Sequence, residues 1–206
     1  MMSKGEKTGS IWRADWPSMQ NVEVVVAEGM IGCGKQLFLD EHRQELYVGD
    51  KGHLTAGVWR INVGGDGPHF PTEQILSHKE WSSSAVSMDA TREYVITAAD
   101  GEGLPPGIGV FGRVMPPGQN ASSRTDLAWR YQTDNVDHVI TDSKGNIYWD
   151  NGCGFPPVKP GSVQCDVRAG TVDGKKPATT LQTNFTLGMG PVGPVGIELS
   201  RDEEWL

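Results

Sequence analysis

Positive charge, cysteine and long apolar runs are all scarce in this sequence, and each shortage excludes something. Lysine and arginine number 18 against 26 acidic residues, a formal charge of −8. A chain with that balance repels polyanions, which excludes nucleic acid and an anionic membrane surface as expected partners. The three cysteines, Cys33, Cys153 and Cys165, leave at least one thiol unpaired, so no disulfide framework holds the fold. Cys153 and Cys165 flank an expected hairpin loop and either bridge it or stay as two reduced thiols. No run of about 18 apolar residues offers a helical membrane span. Residues 1–10 are polar and expected to be disordered, with no signal-type apolar core after them. Asn120-Ala121-Ser122 and Asn184-Phe185-Thr186 are glycosylation sequons, but such triplets arise often by chance, and the compartment stays open.

Glycine and proline are abundant instead, at 27 and 13 residues, and 37% hydrophobic content is enough for a core. That balance suits many short strands joined by turns. One pattern recurs four times: an apolar strand start, a turn with Asp or Ser, then an aromatic-led strand. The copies are Leu37-Phe38-Leu39-Asp40 with Leu46-Tyr47-Val48-Gly49-Asp50, and Val86-Ser87-Met88-Asp89 with Tyr94-Val95-Ile96-Thr97. Val139-Ile140-Thr141-Asp142 with Ile147-Tyr148-Trp149-Asp150-Asn151 is the third, and Ile197-Glu198-Leu199-Ser200 with Trp205-Leu206 the fourth. Asp40, Asp89, Asp142 and Ser200 therefore recur about every 50 to 60 residues, the period of a repeat architecture.

Third strands are predicted over 57–61, 109–113 and 162–167, and fourth strands over 73–76, 127–131 and 178–181. Four antiparallel strands per repeat describe a β-propeller blade, so the expected fold is all-β. Full blades are expected over about 36–76, 85–131 and 138–183, with remnants at 11–26 and 196–206, so that 11–206 forms one propeller. At the start of the chain, Gly9–Asp15 reads as a third strand and Val22–Val26 as a fourth. This count fits a closed four-bladed ring or part of a larger propeller, and the raw sheet edge left by stopping inside a strand favours the latter.

Ile11-Trp12-Arg13-Ala14-Asp15 before Asn21-Val22-Glu23-Val24 resembles the strand signature of the YWTD propellers, the class B repeats of the low-density-lipoprotein receptor. Tyr47-Val48-Gly49-Asp50 and Tyr148-Trp149-Asp150-Asn151 resemble that family's tetrapeptide, which there is mainly architectural. The resemblance implies a partial six-bladed propeller within the wider TolB-like group. That group also includes gluconolactonases and the senescence-marker lactonases, which hold a divalent cation with one Glu, two Asn and one Asp. Carried onto this chain, the Asn before the Asp142–Gly145 turn corresponds to Asp137, another Asn corresponds to Val195, which has no donor atom, and Glu28 lies out of phase with the strand after it.

Three functional readings follow. The leading one is a binding scaffold with a protein or small-molecule ligand at the channel mouth. Its acidic face is made by the second-to-third and fourth-to-first connections. Those connections carry Glu28, Asp50, Asp100, Glu102, Asp134, Asp137 and Asp150, with Asn151 beside them, and such a face attracts a cation or a basic partner. The alternative is a metal-dependent hydrolase of lactones or esters using calcium or zinc, with Asp137 as a ligand and His138 as general base. The other histidines, at 42, 53, 69 and 78, read as solvated loop residues. The third reading is a nucleotide kinase, from Gly29-Met30-Ile31-Gly32-Cys33-Gly34-Lys35, which has the spacing of a phosphate loop but ends in Gln36 where Ser or Thr would hold magnesium.

Overall fold

The computed structural model describes residues 4–52, 54–65, 70–77, 83–99, 109–115, 130–133, 136, 138–151, 166–172, 175–177, 179–183, 196–204 and 206. Every regular element among them is a β-strand. The first sheet contains β1 (Lys4–Arg13), β2 (Glu23–Asp40), β3 (Glu45–Asp50), β4 (Gly57–Asn62) and β5 (Thr72–Ser77), paired in that order. The second contains β6 (Ser83–Met88), β7 (Val95–Ala99), β8 (Gly109–Met115) and β9 (Arg130–Thr133). The third contains β10 (Val139–Thr141), β11 (Asn146–Asn151), β12 (Asp166–Thr171) and β13 (Thr179–Thr183). All neighbours are antiparallel, so β2–β5, β6–β9 and β10–β13 are three four-stranded propeller blades.

Alternation along each strand sends successive side chains to opposite faces, and here both faces are covered. In β3, Tyr47 packs with Val86, Met88 and Val95 of the second blade, while Val48 packs with Ile11, Val26 and Ile31 of the β1–β2 hairpin. In the third blade Trp149 is fully buried against Ala85 and Ile96 of the second. Each apolar cluster is thus an interface between neighbours in sequence, which is why a blade needs the next one for its core.

Two departures from the sequence reading concern β2. Val22–Val26 and Leu37–Asp40 were expected as separate strands, yet Glu23–Asp40 is one strand of 18 residues. Its first half pairs with β1 and its second half with β3, so one strand serves two sheets' worth of ladder. The register jumps from Ile11↔Val26 to Gly9↔Ile31, which pushes residues 27–30 out as an exposed bulge beside the single residue Ser10. Gly29 takes φ +104° there, a conformation that favours glycine. Residues 29–35 therefore lie in strand, not in a loop opening a helix, and the kinase reading is withdrawn.

Residues 4–10, expected to be disordered, form most of β1 because they complete the ladder along the β2 extension. The expected third and fourth strands of the third blade are described from Asp166 and Thr179 onward, and the fourth strand of the second blade from Arg130; residues 162–165, 178 and 127–129 lie outside the described residues. β12 runs on to Thr171 along β11, with Asn146 opposite Thr171 and Asn151 opposite Asp166. Gly196–Ser200 follows the third blade without strand pairing, and the residues after it form a turn.

Candidate functional site

The recurring aspartates are buried turn clamps. Asp40 accepts the backbone N–H groups of His42 (3.1 Å) and Arg43 (3.4 Å) on Oδ1, and the Arg43 guanidinium on Oδ2 at 2.8 Å. Arg92 of the second blade reaches the same carboxylate at 2.5 Å. Burial alone would raise the Asp40 pKa, but the Arg43 hydrogen bonds and the Arg43 and Arg92 charges outweigh it and hold it low. Asp89 accepts the Tyr94 N–H at 2.6 Å and the Thr91 hydroxyl. Asp142 accepts N–H groups of Lys144 (2.9 Å) and Asn146 (2.8 Å), the Asn146 amide (2.6 Å) and the Tyr148 hydroxyl (3.0 Å). There too burial works against the shift, and those bonds lower the pKa below its usual value. Tyr148 is raised in turn, by burial and by donating to Asp142.

Two of the acids assigned to the opposite face also work from beneath it. Asp50 is fully buried and accepts N–H groups of Gly32 (3.1 Å), Cys33 (2.7 Å) and Gly52 (2.9 Å). Asp150 is equally buried and accepts the His138 N–H at 2.9 Å. Both carboxylates tie the entry of a first strand to the end of a second, so neither is displayed to a partner. Glu28 sits exposed on the β2 bulge. Asp100, Glu102, Asp134 and Asp137 lie outside the described residues, as do the Asn151 side chain, Cys153, Cys165 and both sequons.

His138 stands immediately before β10, and its Nδ1 accepts the Ile197 N–H at 3.3 Å. That bond joins the third blade to the segment after it and leaves Nε2 as the other ring nitrogen. Among the described residues no group of three or more His, Cys, Asp or Glu is placed to hold a metal ion. With Val195 lacking a donor atom and the two buried aspartates committed to backbone N–H groups, the described residues do not fit a gluconolactonase-type cation.

The residue that sequence reasoning missed is Gln36. Its side-chain amide is 4% exposed and joins the first strands of all three blades. Oε1 accepts the N–H groups of Val86 in β6 and Val139 in β10, each at 3.0 Å, and Nε2 donates to the Val139 carbonyl at 2.7 Å. An amide can make four hydrogen bonds, and three are used here to satisfy backbone groups where the inner strands converge. The signal was in the sequence: a polar residue opening an apolar first strand, noted only because it was not a serine or threonine.

No protein-family model matches this chain, and no characterised protein matches it in sequence. Among solved structures, a chain in a nidogen/laminin complex is similar in fold, with a TM-score of 0.58 at 11% sequence identity. The likeness covers 89% of this chain and 61% of that one, so this chain spans less than two thirds of that neighbour. At such identity the likeness speaks to fold, and it agrees with the propeller blades.

Proposed function

We propose that this chain is a binding scaffold of the six-bladed YWTD type that engages a basic protein segment through the face containing Glu28. The observation carrying this reading is that the buried carboxylates serve backbone architecture. Asp40, Asp50, Asp142 and Asp150 are all engaged by hydrogen-bond donors, which suits a rigid platform better than an acid–base centre. Support for a protein partner comes from the fold neighbour, which is found in a complex between two proteins. The tetrapeptide-like stretches 47–50 and 148–151 support the YWTD assignment, since they occupy equivalent second strands. Glu28 on its bulge, with Asp100, Glu102, Asp134, Asp137 and Asn151, supplies the ligand-facing groups in this reading; Asp50 and Asp150 brace the loops below.

A fluorescent octalysine peptide titrated into the whole chain tests it. The expected result is saturable binding that weakens steeply with added salt, weakens several-fold on Glu28→Lys, and brings no hydrolysis of lactones with calcium or zinc present. Lactone turnover abolished by chelator, or no peptide binding at low salt, would overturn it.

A further inference from the structure

Beside Glu28 the β2 bulge displays a large apolar side chain, Met30, which is 38% exposed. Leu54, in the connection between β3 and β4, is 56% exposed. The two belong to segments that touch. Gly52 packs so closely on β2 that a Cβ there would stand 2.7 Å from the Gly32 Cα and 2.9 Å from the Cys33 nitrogen. Met30 comes two residues before Gly32 and Leu54 two residues after Gly52, so both flank one junction.

Single exposed apolar side chains are ordinary on a protein surface. What sets this pair apart is how firmly the backbone beneath it is held. The buried Asp50 carboxylate accepts the Gly32 and Cys33 N–H groups on one side of the junction and the Gly52 N–H on the other. The connection then closes on itself, with the Thr55 and Ala56 N–H groups donating to the Gly52 carbonyl at 3.1 and 2.7 Å. The Trp59 indole N–H and the Gln74 amide donate to the Thr55 carbonyl at 2.9 and 3.1 Å. Gln74 also reaches the Ala56 carbonyl at 2.9 Å. Leu54 is therefore presented by a loop that is already ordered, which lowers the cost of binding to it.

Charge does little of the selecting at this junction. Asp50 is buried against backbone N–H groups, and Lys35 and Lys51 are half-buried with interactions of their own. Glu28 is the exposed charge of the bulge, and a single exposed carboxylate discriminates weakly among basic segments. We propose that Met30 and Leu54 give the Glu28 face an apolar subsite, which takes a leucine-sized side chain next to the basic residue that Glu28 pairs with. This rests on the binding function proposed above and narrows its ligand to a segment of mixed apolar and basic residues. The unbranched thioether of Met30 adapts its shape, so the subsite accepts apolar side chains of more than one form.

Two fluorescent peptides titrated by anisotropy into the whole chain are the test. Each has about eight lysines, one interrupted by leucines and the other by the same number of serines, so that their charge is equal. The leucine peptide is expected to bind about tenfold tighter, and the ratio should persist at high salt, where the shared electrostatic part fades. The Met30→Ser, Leu54→Ser double variant should bind the two peptides alike, whereas Glu28→Lys should weaken both and keep their ratio. Equal affinities in the original chain, or a leucine preference that survives in the double variant, would overturn the subsite and leave the binding function standing. No binding of either peptide at low salt would overturn both. Should the double variant fail to fold, Leu54→Ser alone must reduce the preference several-fold, and an unchanged preference there overturns the subsite. Self-association of the original chain that disappears in these variants would overturn the choice of ligand in favour of a second copy.

Discussion

The axis and the rim of this propeller are fastened by different chemistry. At the axis a neutral amide, Gln36, joins three blades through backbone groups alone. At the rim carboxylates do the fastening, with Asp40 drawing on two guanidiniums and Asp142 on neutral donors. The amide has no ionisable proton in the working range, whereas every carboxylate clamp depends on staying charged. The difference makes the Gln36 junction itself indifferent to pH and salt and leaves the turn clamps sensitive to both. It also separates two jobs: the axis sets how blades meet, and the rim shapes each turn and the clefts between turns.

Removing the amide has the largest expected effect. Gln36→Leu strands the Val86 and Val139 N–H groups and the Val139 carbonyl in a buried site. At about 1–3 kcal/mol for each orphaned group, a loss of at least about 3 kcal/mol is expected in denaturant unfolding. The loss should be the same at pH 5 and pH 7. A strong pH dependence of that loss would show that the axis is not held by the amide alone.

Asp142→Ala comes next, because it abandons two backbone N–H groups, the Asn146 amide and the Tyr148 hydroxyl. A cost of about 2 kcal/mol is expected, partly recovered by water at the half-exposed donors. Asp142→Asn keeps one acceptor and should cost less. Denaturant midpoints of the two variants measure the difference.

Acid separates the two regions directly. Asp40 and Asp142 have folded pKa values below the ordinary 3.8. A depressed folded pKa means the unfolded chain binds protons first as pH falls. The stabilisation is therefore fully present above about pH 5 and drains away as pH drops through 3.8 toward the folded values. Melting temperature should be level on this account down to about pH 5 and then fall, and Asp142→Asn should flatten the fall. An equally steep fall in that variant would clear Asp142 of the role.

Much of this was readable in advance, and the exceptions have physical causes. The four-strand period, the aromatic-led second strands and the turn aspartates are local patterns: Tyr47 and Tyr148 lie in equivalent second strands and the clamps at 40, 89 and 142 in equivalent turns, whereas Tyr94 falls just before β7 and Ile197–Ser200 forms no strand. Burial of Asp50 and Asp150 was not readable, because it depends on which backbone N–H groups the neighbouring strand brings opposite them. Gln36 was missed for the same reason, since its partners are 50 and 103 residues away. The long β2 was split by its glycines, which read as a loop and turned out to form a bulge within a continuing ladder.

The smallest expected effect concerns a charged rim contact that crosses between blades among the described residues. Arg92 is half exposed and pairs with Asp40, which Arg43 also engages from within its own turn. An exposed guanidinium contributes about 0–1 kcal/mol even to a well-placed pair, and Asp40 keeps the Arg43 guanidinium when Arg92 is lost. Arg92→Ala should therefore lower stability by about 0.5 kcal/mol at low salt and by nothing measurable at high salt. The informative result is the coupling of this substitution with Gln36→Leu. If axis and rim hold the same two blades in series, the double variant loses more than the two single losses together; if they act independently, the losses add. Additivity would mean that the blade junction is set at the centre and only trimmed at the edge, as the burial of Gln36 and the exposure of Arg92 imply.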